Sequence, residues 1–334
     1  MRGFRHIAVA ATAATFLLIA VGGFVRAAGA GLGCPDWPRC FGRWIPPTDV
    51  SQLPPEIDPE RFDFALAWIE YVNRLLGVVV GLLIVAVLVS AWHVHRRRPA
   101  IVAPAAVTAL LVAFQGWFGG QVVAHELDPR LVTVHLFVAL AIVGLLLHLV
   151  VQGFDAGGGR LPRPPAGAAP LFRAALVVLG AAVVQVMLGA FLRGGLEGVV
   201  AADPDLERSR LLGRVGAADE VHKSGALVVA LLCAWLLWQA HVRLPESPGL
   251  RRLLQAPAWL TLAQIAAGLG LTSLALPPVL QLAHLVLGSL LFGCLVLSVL
   301  LLAPGRAGHP APQERSCRPS MLAPGRAGPS GEPW

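Results

Sequence analysis

The chain has 334 residues, 56% of them hydrophobic and only 13% charged, with a mean hydropathy of +0.70. No water-soluble domain of this length carries so little charge over so much apolar surface, so the surroundings expected for most of it are membrane lipid. The formal net charge is +7, but the basic residues punctuate apolar runs instead of clustering with aromatics, which excludes a nucleic-acid-binding surface.

A helix needs roughly 20 apolar residues to cross a hydrocarbon layer of about 30 Å. Eight segments qualify in chain order: Ile7 to Val25, Trp68 to Trp92, Ile101 to Val123, Leu131 to Val151, Phe172 to Leu192, Ala218 to Ala240, Leu253 to Leu274 and Val279 to Leu302. The fold class expected is all-α and polytopic. Arg2 and Arg5 before the first segment give it the look of a cleaved signal peptide, but the internal repeat below makes it part of the fold. Arg96, Arg97 and Arg98 crowd one connection, whereas the opposite connections carry Arg130 alone or, at Leu276 to Pro278, no basic residue. By the positive-inside rule both termini are cytoplasmic, in an inner membrane. The first outer loop, 26–67, is long; the second is read as running from Arg193 to Ala217. The tail, 303–334, repeats LAPGRAG and is rich in Pro, Gly and Arg, a composition expected to be disordered.

One constant offset superimposes Gln115 on Gln264, Gly119 on Gly268, Pro129 on Pro278, His135 on His284, and Asn73-Arg74 on His222-Lys223. Upstream, a longer offset aligns GGFVR, ending at Arg26, with GAFLR, ending at Arg193. The expectation is two tandem four-helix bundles, 1–154 and 155–302, related by a pseudo-twofold axis along the membrane normal, because an even number of spans per half keeps the halves parallel.

Asn73, His135, His222 and His284 then share one depth, near the extracytoplasmic ends of their helices. Ionisable groups in hydrocarbon are costly and face a cavity, a partner or a cofactor. Paired histidines on facing helices are what axial ligation of heme iron requires, and His222 with His284 makes a complete pair in the second half. Arg74 and Lys223, one residue further on, are placed to meet heme propionates. A proton relay or transporter is the other use of such histidines. His93, His95, His125 and His148 lie at the wrong depth to substitute as ligands.

The stretch GGFVRAAGAGLGCPDWPRC, from Gly22 to Cys40, resembles the hallmark of the heme A synthase family. DPRLVTVH ending at His135, EVHK containing His222 and LAHL containing His284 resemble three of that family's ligand motifs, with Lys223 in place of the usual Arg. The fourth motif, Glu-x-x-His-Arg, is here EYVNR: Glu70 and Arg74 match, and Asn73 stands where the family has a ligand histidine. The resemblance implies oxidation of a ring methyl of heme O to the formyl group of heme A by successive hydroxylations. It implies heme b iron on His222 and His284, a substrate heme at His135 and Asn73, and a catalytic part for Glu70. A plain ion pair between Glu70 and Arg74, four residues apart on a helix, is the alternative role for that acid. Cys34 and Cys40 lie in the first outer loop, in a compartment that permits disulfides, and are expected to bond, as a redox or heme-delivery device or as a clamp.

Asn73 also allows a heme b electron-transfer or heme-handling paralogue that has lost the synthase reaction. The partners implied are heme O, heme A, a heme O synthase and terminal oxidase assembly, with an electron donor the sequence does not name. Flavin, nicotinamide and zinc are not expected, since no Gly-rich nucleotide loop or zinc-type Cys/His cluster occurs.

Overall fold

The computed structural model describes residues 2–158, 161–165 and 167–306, so nearly all of the tail expected to be disordered lies outside the described residues. Among those described, the regular structure is helical: α1 (Arg2–Ala27), α2 (Phe64–His95), α3 (Pro99–Ala124), α4 (Pro129–Ala156), α5 (Ala169–Ala202), α6 (Leu211–Val215), α7 (Ala217–Arg243), α8 (Pro248–Ser273) and α9 (Pro278–Leu302). Seven of these are long and apolar enough to cross a membrane. The eighth expected span, α8, has spanning length at 26 residues, but Arg251, Arg252, Gln255 and Gln264 dilute its apolar character.

Local chemistry sets the helix starts. The side chains of Asp63 and Asp128 accept from the N–H groups of Leu66 and Arg130, and α3, α4, α8 and α9 carry proline in the first turn, where a missing N–H does no harm. The connections α3–α4 and α8–α9 share an unusual turn. Glu126 and Leu127 in one, Ala275 and Leu276 in the other, are consecutive non-glycine residues in the left-handed region. Each turn is closed by a backbone N–H reaching back five residues, Leu127 to Val122 at 2.9 Å and Leu276 to Leu271 at 3.0 Å.

Helix α1 packs on α2 and α4, α2 on α3, and α3 on α4; α5 packs on α7 and α9, α7 on α8, and α8 on α9. The two sets meet through α1 on α9, α4 on α5 and α4 on α9. At that seam Gly23 lies against Leu285 and Gly293 against Phe16, so closely that any larger residue would have to displace the opposing side chain.

The second outer segment departs from the sequence expectation of a loop from Arg193 to Ala217. Helix α5 continues to Ala202 and the short α6 follows. The cause is a small apolar cluster in which Leu192 and Leu196 of the extended helix bury against Leu211 and Leu276. The first outer loop stays irregular but is anchored: Cys34, Cys40, Phe41 and Ala67 form its own buried cluster.

Candidate functional site

His222 on α7 and His284 on α9 face each other with ring centroids 6.3 Å apart. They line a cavity of about 520 Å³, with Gln185, Gln264 and Lys223 also on its wall. That size lies in the range of about 300 to 1,000 Å³ that cofactor sites occupy. The wall is not built by one half alone, since Gly23 and Arg26 of α1 and Val132 and Leu136 of α4 contribute to it. The ring separation is roughly what two imidazoles need when each sets a nitrogen about 2 Å from one metal atom between them. Nδ1 of His284 is buried without a hydrogen-bond partner among the described residues.

Close helix approach makes room for these rings. A Cβ on Gly189 would lie 3.0 Å from Cε1 of His222, and one on Gly268 would lie 3.4 Å from Cε1 of His284. The first half repeats the device: a Cβ on Gly119 would sit 3.4 Å from Cε1 of His135, and one on Gly22 would sit 3.9 Å from Oδ1 of Asn73. His135 also stacks on Phe118, centroids 6.1 Å apart. All four polar residues are half-buried. Three of the other histidines lie elsewhere: His125 contacts the Gln121 carbonyl, His148 that of Ala100, and His95 stands edge-on to Phe4.

Glu70 and Arg74 form a buried ion pair that holds the first outer loop. Oε2 of Glu70 accepts the Cys34 N–H at 2.8 Å while Oε1 accepts from Arg74. The five N–H groups of that guanidinium are all engaged, with Glu70 and with the carbonyls of Cys34, Asp36 and Arg39. Cys34 and Cys40 are joined as a disulfide. The loop backbone lies so near α2 that a Cβ on Gly33 would fall 2.3 Å from the Leu66 carbonyl oxygen. Trp37 lies against Gly120 of α3.

The second half carries the counterpart of that ion pair, which sequence reasoning missed. Asp219 and Lys223 occupy the repeat-equivalent positions of Glu70 and Arg74 and are bridged at 2.6 Å, with Asp219 buried. Also missed was a network at the outer rim. Arg26 and Arg193, which the repeat aligns, converge on Glu197 at 2.6 Å and 2.9 Å, and Arg193 donates on to Gln281. The matched GGFVR and GAFLR stretches carried the signal for the two arginines, but nothing local pointed to Glu197.

Known proteins give the arrangement its context. The family described as cytochrome oxidase assembly protein matches residues 5–296 of this chain. A heme A synthase of Symbiobacterium thermophilum is 28% identical over 280 residues, 80% of this chain and 85% of its own length. Heme A synthases of Shewanella oneidensis and Paracoccus denitrificans are 32% and 31% identical over 186 and 199 residues, and the chain spans about half the length of each, 52%. Apolar helices, facing histidines and a match over nearly the whole chain identify it as a multi-pass membrane protein belonging to the heme A synthase family of cytochrome oxidase assembly proteins.

Proposed function

We propose that the chain is a heme A synthase-like oxidoreductase of the cytoplasmic membrane, oxidising the ring methyl of heme O to the formyl group of heme A. The observation that carries this reading is the pair His222 and His284, 6.3 Å apart on the wall of a cavity of about 520 Å³. These two would hold the iron of a b-type heme, with Lys223 and the rim cation Arg193 near its propionates. A heme held there supplies reversible one-electron transfer.

The reading takes the two helix sets as tandem four-helix bundles related by a pseudo-twofold, with α8 as the eighth span, both termini cytoplasmic and the heme sites toward the extracytoplasmic face. Support comes from the matched left-handed turns, the matched glycines and the repeated packing order. In the first half, His135 is assigned to the iron of the substrate heme and Asn73 to its other face. Glu70, one helical turn from Asn73 on the same face of α2, is the catalytic candidate. Arg74 and the Cys34 N–H hold that carboxylate in one orientation. Because Asp219 repeats the ion pair in the other half, the distinguishing feature of Glu70 is its bond to the outer loop. We assign Arg74 to fixing that loop, which closes the site from outside. Heme O synthase as donor of substrate and the terminal oxidase as recipient of product belong to the same reading.

A second reading rests on Asn73: a heme b electron-transfer paralogue that does not make heme A. Chromatographic identification of hemes from cells producing heme O, with wild type, Glu70→Ala and Asn73→His, separates the two. Heme A from wild type that disappears with Glu70→Ala supports the synthase; heme b alone from wild type supports the paralogue.

A further inference from the structure

Three of the four repeat units share a feature beyond the glycine. Gln115 and Gly119 on α3 lie against His135, Gln185 and Gly189 on α5 against His222, and Gly268 on α8 against His284, with Gln264 on the same cavity wall. In each case the glutamine is four residues before the glycine that faces the ring, so the two share one helix face. The fourth unit, on α1, keeps Gly22 but has Leu18 in place of the glutamine, and this is the unit that faces Asn73. Glycine is therefore present wherever the helices approach, whereas glutamine is present only where the facing residue is a histidine. The glutamine answers to the imidazole and not to helix packing.

The contacts agree. Nε2 of Gln115 donates to the His135 carbonyl at 2.6 Å, and Nε2 of Gln185 donates to the His222 carbonyl at 2.8 Å and lies 3.1 Å from Nδ1 of the same histidine. The Oε1 atoms of Gln115, Gln185 and Gln264 are buried without a donor among the described residues, as are Nδ1 of His135 and Nδ1 of His284 without a partner. A buried acceptor left without a donor is costly, and these three, like Oδ1 of Asn73, are free to accept one. Gly225 supplies the space for Gln185, since a Cβ there would fall 2.2 Å from Oε1; its repeat equivalent beside Asn73 is Leu76.

We propose that Gln115, Gln185 and Gln264 are positioning residues, each accepting at Oε1 the Nδ1–H of the histidine it faces when Nε2 of that ring binds iron. The inference rests on the heme reading of His222 and His284 given above. A metal-bound histidine needs an acceptor for its second N–H, which fixes the tautomer and raises the basicity of the ligand, and loss of that acceptor weakens binding by about 10- to 100-fold. An amide oxygen does this without placing a carboxylate charge in hydrocarbon. For Gln185 the bond requires rotation of the amide so that Oε1 replaces Nε2 beside Nδ1, which exchanges the 2.8 Å bond to the His222 carbonyl for the bond to the ring and moves the amide off that carbonyl.

The test uses the full-length chain purified with its heme and read by redox titration and low-spin absorption, comparing wild type with Gln185→Leu and Gln185→Glu. Leucine removes the acceptor, so the midpoint potential rises and heme retention falls by about 10- to 100-fold. Glutamate is a stronger acceptor, so the potential falls below wild type. A merely structural glutamine would give shifts of the same sign for both variants or none at all, and either result overturns the proposal. Gln264→Leu and Gln264→Glu repeat the comparison through His284 should either Gln185 variant not accumulate. A wild-type protein without low-spin heme would instead overturn the heme reading beneath it.

Discussion

Arg26 of α1 grips Glu197 of α5 with both prongs of its guanidinium, Nε to Oε1 at 2.9 Å and Nη2 to Oε2 at 2.6 Å, tying the N-terminal helix to the wall of a cavity built mainly by the C-terminal half. Lysine cannot reproduce that fork. Both side chains are about one-third exposed, so Arg26→Lys should lower unfolding free energy in detergent by only about 1 kcal/mol. Heme retention is expected to fall more visibly, since Arg26 lines the cavity; the heme-to-protein ratio after gel filtration measures it.

Arg74→Lys removes donors that Cys34, Asp36 and Arg39 carbonyls accept, because an ammonium cannot reach Glu70 and three carbonyls from one point. The outer loop is expected to loosen while its disulfide stays intact. Limited trypsin digestion at Arg39 and Arg43 should run several-fold faster than in wild type; an unchanged digestion rate would mean that the apolar cluster around Cys34, Phe41 and Ala67 holds the loop unaided.

The glycines facing the rings should respond in graded order. Gly189→Ala places a methyl 3.0 Å from His222, a distance that forces the ring to shift, while Gly268→Ala and Gly119→Ala at 3.4 Å ask for less. Heme content of purified protein is expected to fall most for Gly189→Ala. Equal losses in all three would show that the ring distance does not set heme content, since helix propensity alone favours each alanine slightly.

Asn73→His is expected to yield a weakly held ligand, because Leu18 offers no acceptor and Leu76 fills the space that Gly225 leaves open in the other half. Adding Leu18→Gln and Leu76→Gly should sharpen a second low-spin signal in electron paramagnetic resonance of protein loaded with heme. A strong second signal from Asn73→His alone would show that the first half needs no such support.

Hydropathy and the internal repeat made most of the molecule legible, since spanning helices advertise themselves by length and His135, His222 and His284 by their isolation in apolar sequence. The continuation of α5 to Ala202 was not legible, because Leu196 and Leu211 pair across a turn that has no strong local signal. The partners of Arg74 were hidden for a different reason: three of them are main-chain carbonyls, which leave no trace in residue identity. Gln185 escaped because its counterpart is Leu18, so the repeat erased the comparison at the one unit where it would have been informative.

The shared wall of the cavity bears on how the protein is made. Gly23, Arg26, Val132 and Leu136 emerge from the ribosome well before His284, yet the chamber has no complete lining until α9 has joined them. A nascent chain therefore has no finished compartment during synthesis, and on the heme reading proposed above the chamber can be loaded only after both halves are in place.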